Sequence, residues 1–355
     1  MKKQTRLISG FIIGLAISSV VAACSNPNNT TQTESTANNQ SSPNQEVKLT
    51  LVSYAVTQSA YEKIIPKFAE EWEQKTGQKV IVEQSYGGSG SQTRAVIDGL
   101  EADVVGLALS ADTLKIQQAG LIEPGWEKEV PNNGIVTRSV VALVGREGGK
   151  TVKTWEDLAN PDIKVITANP KTSGGARWNF LVLWGAITQS GGNAQDAQDF
   201  LTKVYKNVPV LPKDAREATD VFYKQGQGDI LMNYENEILL AKLKGENQPY
   251  VIPTDKNISI DGPIAVVDKN VDKRGTREVA EAFVQFLFTP SAQRAFAEVG
   301  FRPVDEAIFQ EFSEQYPKVE NLFTVEAFGG WDKVQKDFFD DGTIFDQIFT
   351  NLKKN

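Results

Sequence analysis

From residue 47 onward, short β-like runs alternate with amphipathic helical stretches. At three places a strand passes into a helix through a turn of small residues: Gly87-Gly88-Ser89-Gly90-Ser91, Thr172-Ser173-Gly174-Gly175-Ala176 and Lys213-Asp214-Ala215-Arg216. Alternation of this kind predicts an α/β fold. Each turn exposes backbone N–H groups at the positive end of a helix, where an anion is favoured. Glycine lets the backbone approach a ligand closely, and Ser89 or Ser173 adds a hydroxyl. One such turn says little, because turns use glycine anyway. Three in one chain point toward an anion, although none has the Gly-Lys-Ser/Thr spacing of a P-loop.

The chain beyond residue 47 is longer than one core usually supports, so two lobes are expected. The first strand is read at 47–54, followed by a helix whose apolar face holds Tyr61, Ile64, Ile65, Phe68 and Trp72, with Gly77 as its stop. Pro66 predicts that this helix starts or kinks there. Further strands are read at 79–85, 103–108, 136–144, 164–168, 208–211 and 229–233. The stretch 258–267 is read as a return to the first lobe. The expected division is lobe 1 over 47–134, lobe 2 over 135–250, a return segment over 251–302 and C-terminal helices over 303–355.

The N-terminus reads as an export leader, 1–23. Lys2, Lys3 and Arg6 precede an apolar run that ends at Val21-Ala22-Ala23-Cys24, which is similar to the lipobox of bacterial lipoproteins. Cys24 is then the lipidation site. Residues 25–46 are rich in Asn, Gln, Ser, Thr and Pro, too polar to offset their ordering entropy, and read as a flexible tether. These features place the folded part outside the cytoplasm, periplasmic or otherwise extracytoplasmic and lipid-anchored to a membrane. The formal charge of −8 argues against nucleic acid as a partner. It also means that local geometry must hold any anion.

The chain has no histidine and a single cysteine, which removes Ser-His-Asp and Cys-His catalysis and most zinc or iron sites. Glu235 and Glu237 could pair for acid–base work. At a helix start, however, such carboxylates commonly stabilise the dipole. No enzyme, cofactor or metal site is expected.

The segment Asn169-Pro-Lys-Thr-Ser-Gly-Gly-Ala-Arg-Trp178 closely resembles the signature of prokaryotic sulfate-binding proteins of sulfate/thiosulfate ABC transporters. Val52-Ser-Tyr54, Gln84-Ser-Tyr-Gly-Gly-Ser-Gly90, Gly99-Leu-Glu-Ala-Asp103 and Phe328-Gly-Gly-Trp331 are similar to the family in its order. The resemblance implies a two-lobed type II periplasmic-binding-protein fold, with a dehydrated sulfate in the interlobe cleft held by neutral donors. Carried over, the ligand-binding positions are the Ala55 amide, the Ser89 amide with its hydroxyl as an optional further donor, the Ser173 hydroxyl, the Gly174, Gly175 and Ala215 amides, and Tyr234. Arg177 and Arg216 would brace the donor loops from behind. Trp178 and Trp184 read as packing. The sequence departs from well-known members at three positions: Ala55 stands for an acidic residue, Asp214 for a glycine and Tyr234 for an indole donor. Asp214 is expected to point to solvent and help the helix start.

The implied role is that of a monomeric carrier delivering sulfate to a membrane permease. The alternatives are a thiosulfate, molybdate or other oxyanion carrier, an extracytoplasmic sulfate or phosphate ester hydrolase, and a sensor for a membrane receptor.

Overall fold

The strands are β1 (Val47–Tyr54), β2 (Val80–Gly87), β3 (Val104–Gly106), β4 (Ile135–Ser139), β5 (Val141–Val144), β6 (Val165–Ile166), β7 (Ile230–Tyr234), β8 (Tyr250–Val251), β9 (Asn257–Ile258), β10 (Ile260–Val266), β11 (Arg302–Pro303) and β12 (Leu322–Phe323). The helices are α1 (Gln58–Thr76), α2 (Ser89–Ile97), α3 (Ser110–Gln118), α4 (Gly174–Thr188), α5 (Ala194–Lys206), α6 (Ala215–Tyr223), α7 (Glu235–Leu243), α8 (Asp268–Arg274), α9 (Arg277–Phe286), α10 (Pro290–Ala297), α11 (Glu306–Glu311), α12 (Gly330–Val334) and α13 (Ile344–Lys354). The computed structural model describes residues 46–354. The leader, Cys24 and the tether up to residue 45 lie outside the described residues.

The first sheet has the order β11-β4-β10-β3-β1-β2. β1 runs parallel to β2 and β3, while β10 is antiparallel to β3 and β4. The inner half of β1 is buried at every residue, as expected for a parallel strand covered on both faces. The second sheet has the order β6-β7-β5-β8, with β7 parallel to β6 and antiparallel to β5. β1 and β2 of the first sheet run into the helix starts at Ala55 and Ser89 and β7 of the second ends at Tyr234, while α4 and α6 start after loops.

Three readings are corrected. The run 136–144 is not one strand. It divides at Val140 into β4 in the first sheet and β5 in the second, so the chain changes sheets there. No Gly, Pro, Asn or Asp in 136–144 marks such a change. Pro66 does not start α1, which begins at Gln58 and continues through it to a left-handed Gly77 cap at φ 72°. Pro66 is exposed, so the carbonyl it leaves unpaired faces water. Residues 208–211 form no strand.

The C-terminal segment packs against α4. Trp331 meets Trp178 edge-on at 4.6 Å, and Phe338, Phe339 and Phe345 surround Phe180. The passages between the sheets are pinned by side chains. Asn257 accepts from the Val141 amide at 3.1 Å and donates to its carbonyl at 2.8 Å. Arg302 of β11 donates to both carboxylate oxygens of Glu235 in α7, at 2.6 and 2.9 Å.

Candidate functional site

Four backbone turns converge on one small cavity, and each brings the first residue of a helical segment to its wall. Ala55 opens a single 3₁₀ turn after β1, Ser89 opens α2, Gly174 opens α4 and Ala215 opens α6. First-turn N–H groups have no intrahelical acceptor, so such a wall presents donors and positive dipole ends. Gly175 and the hydroxyl residues Ser173 and Tyr234 complete the expected set, and all seven expected positions line the cavity. The space between the lining atoms, open mouth included, is about 180 Å³.

Close approach explains the glycines. A Cβ on Gly88 would lie 2.5 Å from the Thr172 carbonyl oxygen, and one on Gly174 would lie 2.6 Å from Ala108 Cβ. A Cβ on Gly175 would lie 2.5 Å from Tyr234 Cε2. The three turns also bond to one another across the sheets. The Gly90 amide donates to Thr172 O at 3.1 Å, and the Thr172 hydroxyl donates to Lys213 O at 2.6 Å.

The hydroxyl groups differ in what they can offer. Ser173 Oγ accepts from the Ala176 amide at 3.3 Å as the cap of α4, which leaves its proton free to donate. The Ser89 hydroxyl is already committed, donating to Asp112 Oδ2 at 2.6 Å and accepting from the Ala108 amide at 3.0 Å. The hydroxyl contact expected from Ser89 is therefore corrected to its amide alone. Tyr234 is 2 % exposed, its ring lies 6.2 Å from that of Tyr54, and its Oη has no hydrogen-bond partner among the described residues. Burial, then the neighbouring Tyr54, Glu237 and Asp112, pushes its phenol well above the ordinary range, so it is held neutral as a donor.

Asp214 departs from expectation. It is buried at 5 % exposure rather than turned to solvent, and its Oδ1 accepts from the Glu217 amide at 2.9 Å as the cap of α6. No Lys or Arg lines the cavity. Arg177 donates from Nη1 to Asp112 Oδ1 and from Nε to Pro170 O, both at 3.0 Å. Arg216 grips Glu237 with two bonds of 2.8 Å. Lys171 bonds Asp346 at 2.9 Å and Phe339 O at 3.1 Å. Trp178 is buried and fastens Ala108 O at 2.8 Å, behind the wall. Among the described residues no group of three acidic or cysteine side chains could hold a metal.

The sequence reading did not single out Asp112, fully buried and shared by Ser89 and Arg177. An acidic residue in the first turn of α3 gives no sign of tertiary partners. Gly88, Ala108 and Val56 also line the cavity; of these, Gly88 alone carried a signal, as part of the first turn.

The chain is similar to known proteins along most of its length. The sequence model of the bacterial extracellular solute-binding protein family matches residues 49–302. A sulfate-binding protein of Synechocystis sp. is 63% identical over 342 residues, covering 96% of this chain and 96% of that one. A sulfate-binding protein of Synechococcus elongatus is 62% identical over 316 residues, covering 88% and 90%. Among solved structures, the sulfate-binding protein SubI from Mycobacterium tuberculosis H37Rv superposes with a TM-score of 0.75 at 36% identity, covering 82% of this chain and 99% of that one.

Proposed function

The chain belongs to the prokaryotic sulfate-binding proteins, among the bacterial extracellular solute-binding proteins, and we propose that it captures sulfate outside the cytoplasm and delivers it to an ABC transporter for uptake. The observation that carries the site assignment is Tyr234 Oη, a buried hydroxyl without a protein partner on a wall of first-turn amides. A buried donor left unpaired costs about 1–3 kcal/mol; an anion accepting from it removes that cost. Sulfate would take the amides of Ala55, Ser89, Gly174, Gly175 and Ala215 and the hydroxyls of Ser173 and Tyr234. Arg177 and Arg216 would hold the loops in place through Asp112 and Glu237.

A pocket of donors favours a fully ionised ligand. The proton of hydrogen phosphate would face another donor, and the mismatch costs about 1–3 kcal/mol or more. The two sheets support a two-lobed body that opens and closes about the passages at Val140 and 252–259. We assign no catalytic turnover: Glu235 and Glu237 are each locked in a two-bond arginine pair. Attachment to the membrane is assigned to lipidated Cys24, with residues 25–46 as tether and a monomer as the docking form.

Equilibrium dialysis of the purified protein with radiolabelled sulfate, competed by thiosulfate, molybdate and phosphate, tests the reading. One sulfate per chain, displaced weakly or not at all by the others, is the expected result. Preferential retention of thiosulfate or molybdate would move the assignment to that oxyanion.

A further inference from the structure

Asp214 lines the cavity, is 5 % exposed, and has no ion-pair partner among the described residues. The Arg216 guanidinium two residues on is bound through Nε and Nη2 to Glu237. Among the described residues the one hydrogen bond of the Asp214 side chain is the one its Oδ1 accepts from the Glu217 amide at 2.9 Å. A cap needs only an acceptor oxygen, which Asn supplies as well as Asp. The negative charge is therefore surplus to the cap, and it sits on the wall of a site assigned to an anion.

Resting on the sulfate reading above, we propose that Asp214 is an affinity-limiting residue. Its carboxylate repels the bound dianion and sets how readily the site releases it. Like charges a few ångströms apart in a protein interior weaken binding by well over about tenfold even at a high effective dielectric. Burial limits screening of that repulsion by salt. The carboxylate also takes the third amide of α6, so that helix start offers the anion only its first two N–H groups. For a carrier, tight capture opposes hand-over, and a fixed charge beside the ligand shortens the residence time without removing any donor.

The test is calorimetric titration of sulfate into the wild type, Asp214→Asn and Asp214→Ala, with a thermal melt of each. The Asn variant keeps the cap and loses the charge; the Ala variant loses both and introduces no new donor. Both are expected to bind sulfate at least about tenfold more tightly than wild type, with slower dissociation, and only Ala is expected to melt lower. Unchanged or weaker binding by both variants overturns the proposal. So does a gain confined to Asn, which would belong to its new amide donor. If wild type itself failed to bind sulfate, the functional assignment would fall first and this inference with it.

Discussion

Tyr234 is 2 % exposed and its Oη is unpaired within the protein, so its hydroxyl has little to do for the fold. A hydrogen bond to a charged ligand is worth about 1.5–3 kcal/mol. Tyr234→Phe is therefore expected to weaken sulfate binding about 10- to 150-fold by calorimetry, while the ligand-free melting temperature stays level or rises. A fall in stability with affinity preserved would contradict the assignment. At Gly175, an added methyl would sit 2.5 Å from the Tyr234 ring. Gly175→Ala must displace that ring, and at least about tenfold weaker sulfate binding is expected in the same titration. The three turns before α2, α4 and α6 were legible in the sequence as helix starts with free amides, whereas Ala55 and Tyr234 entered only through the family resemblance. The state of each side chain was not legible. Whether Ser89 Oγ is free depends on Asp112, 23 positions away, and whether Asp214 meets water depends on how the turns at 172 and 213 close on one another.

At the scale of elements, the join between sheets rests on a buried pair. Glu235 at the start of α7 is fully buried and held by Arg302 of β11. Burial raises its carboxyl above the ordinary range in spite of the guanidinium beside it. Removing one partner of such a pair leaves an uncompensated charge, which costs about 3–5 kcal/mol. Arg302→Ala is expected to lower the urea unfolding free energy by that order, and a change below about 1 kcal/mol would show that the pair is not sealed. Most elements were readable from period and turn chemistry. The division at Val140 was not, because β-formers continue through it from Val136 to Val144 with no turn residue between the two strands. Nor could residues 208–211 be excluded as a strand, since β propensity there meets no neighbouring strand to pair with.

For the whole molecule, the chain carries no histidine and Tyr234 stays protonated, so sulfate affinity is expected to be flat from about pH 6 to 8, where histidine would titrate. Alkaline behaviour should be different. Burial raises the phenols of Tyr54, Tyr61, Tyr205 and Tyr234 above the ordinary value of 10.0. Their contribution to stability is fully present below pH 10. It is lost as pH rises further, because the unfolded chain then releases protons that the folded chain retains. Thermal melts should hold level to about pH 9 and fall steeply above pH 10, with phenol ionisation at 295 nm following unfolding. Ionisation of these tyrosines near pH 10 in the folded protein would contradict their burial.

Selection of a fully ionised oxyanion by first-turn amides and two hydroxyls is tested by calorimetric titration of the purified protein with sulfate and with phosphate at pH 7. One sulfate per chain is expected, with phosphate binding weaker by at least about fivefold, the factor set by one mispaired proton. Equal binding of the two anions would mean that the Asp214 carboxylate on the wall accepts the phosphate proton, and selectivity for a fully ionised ligand would be wrong.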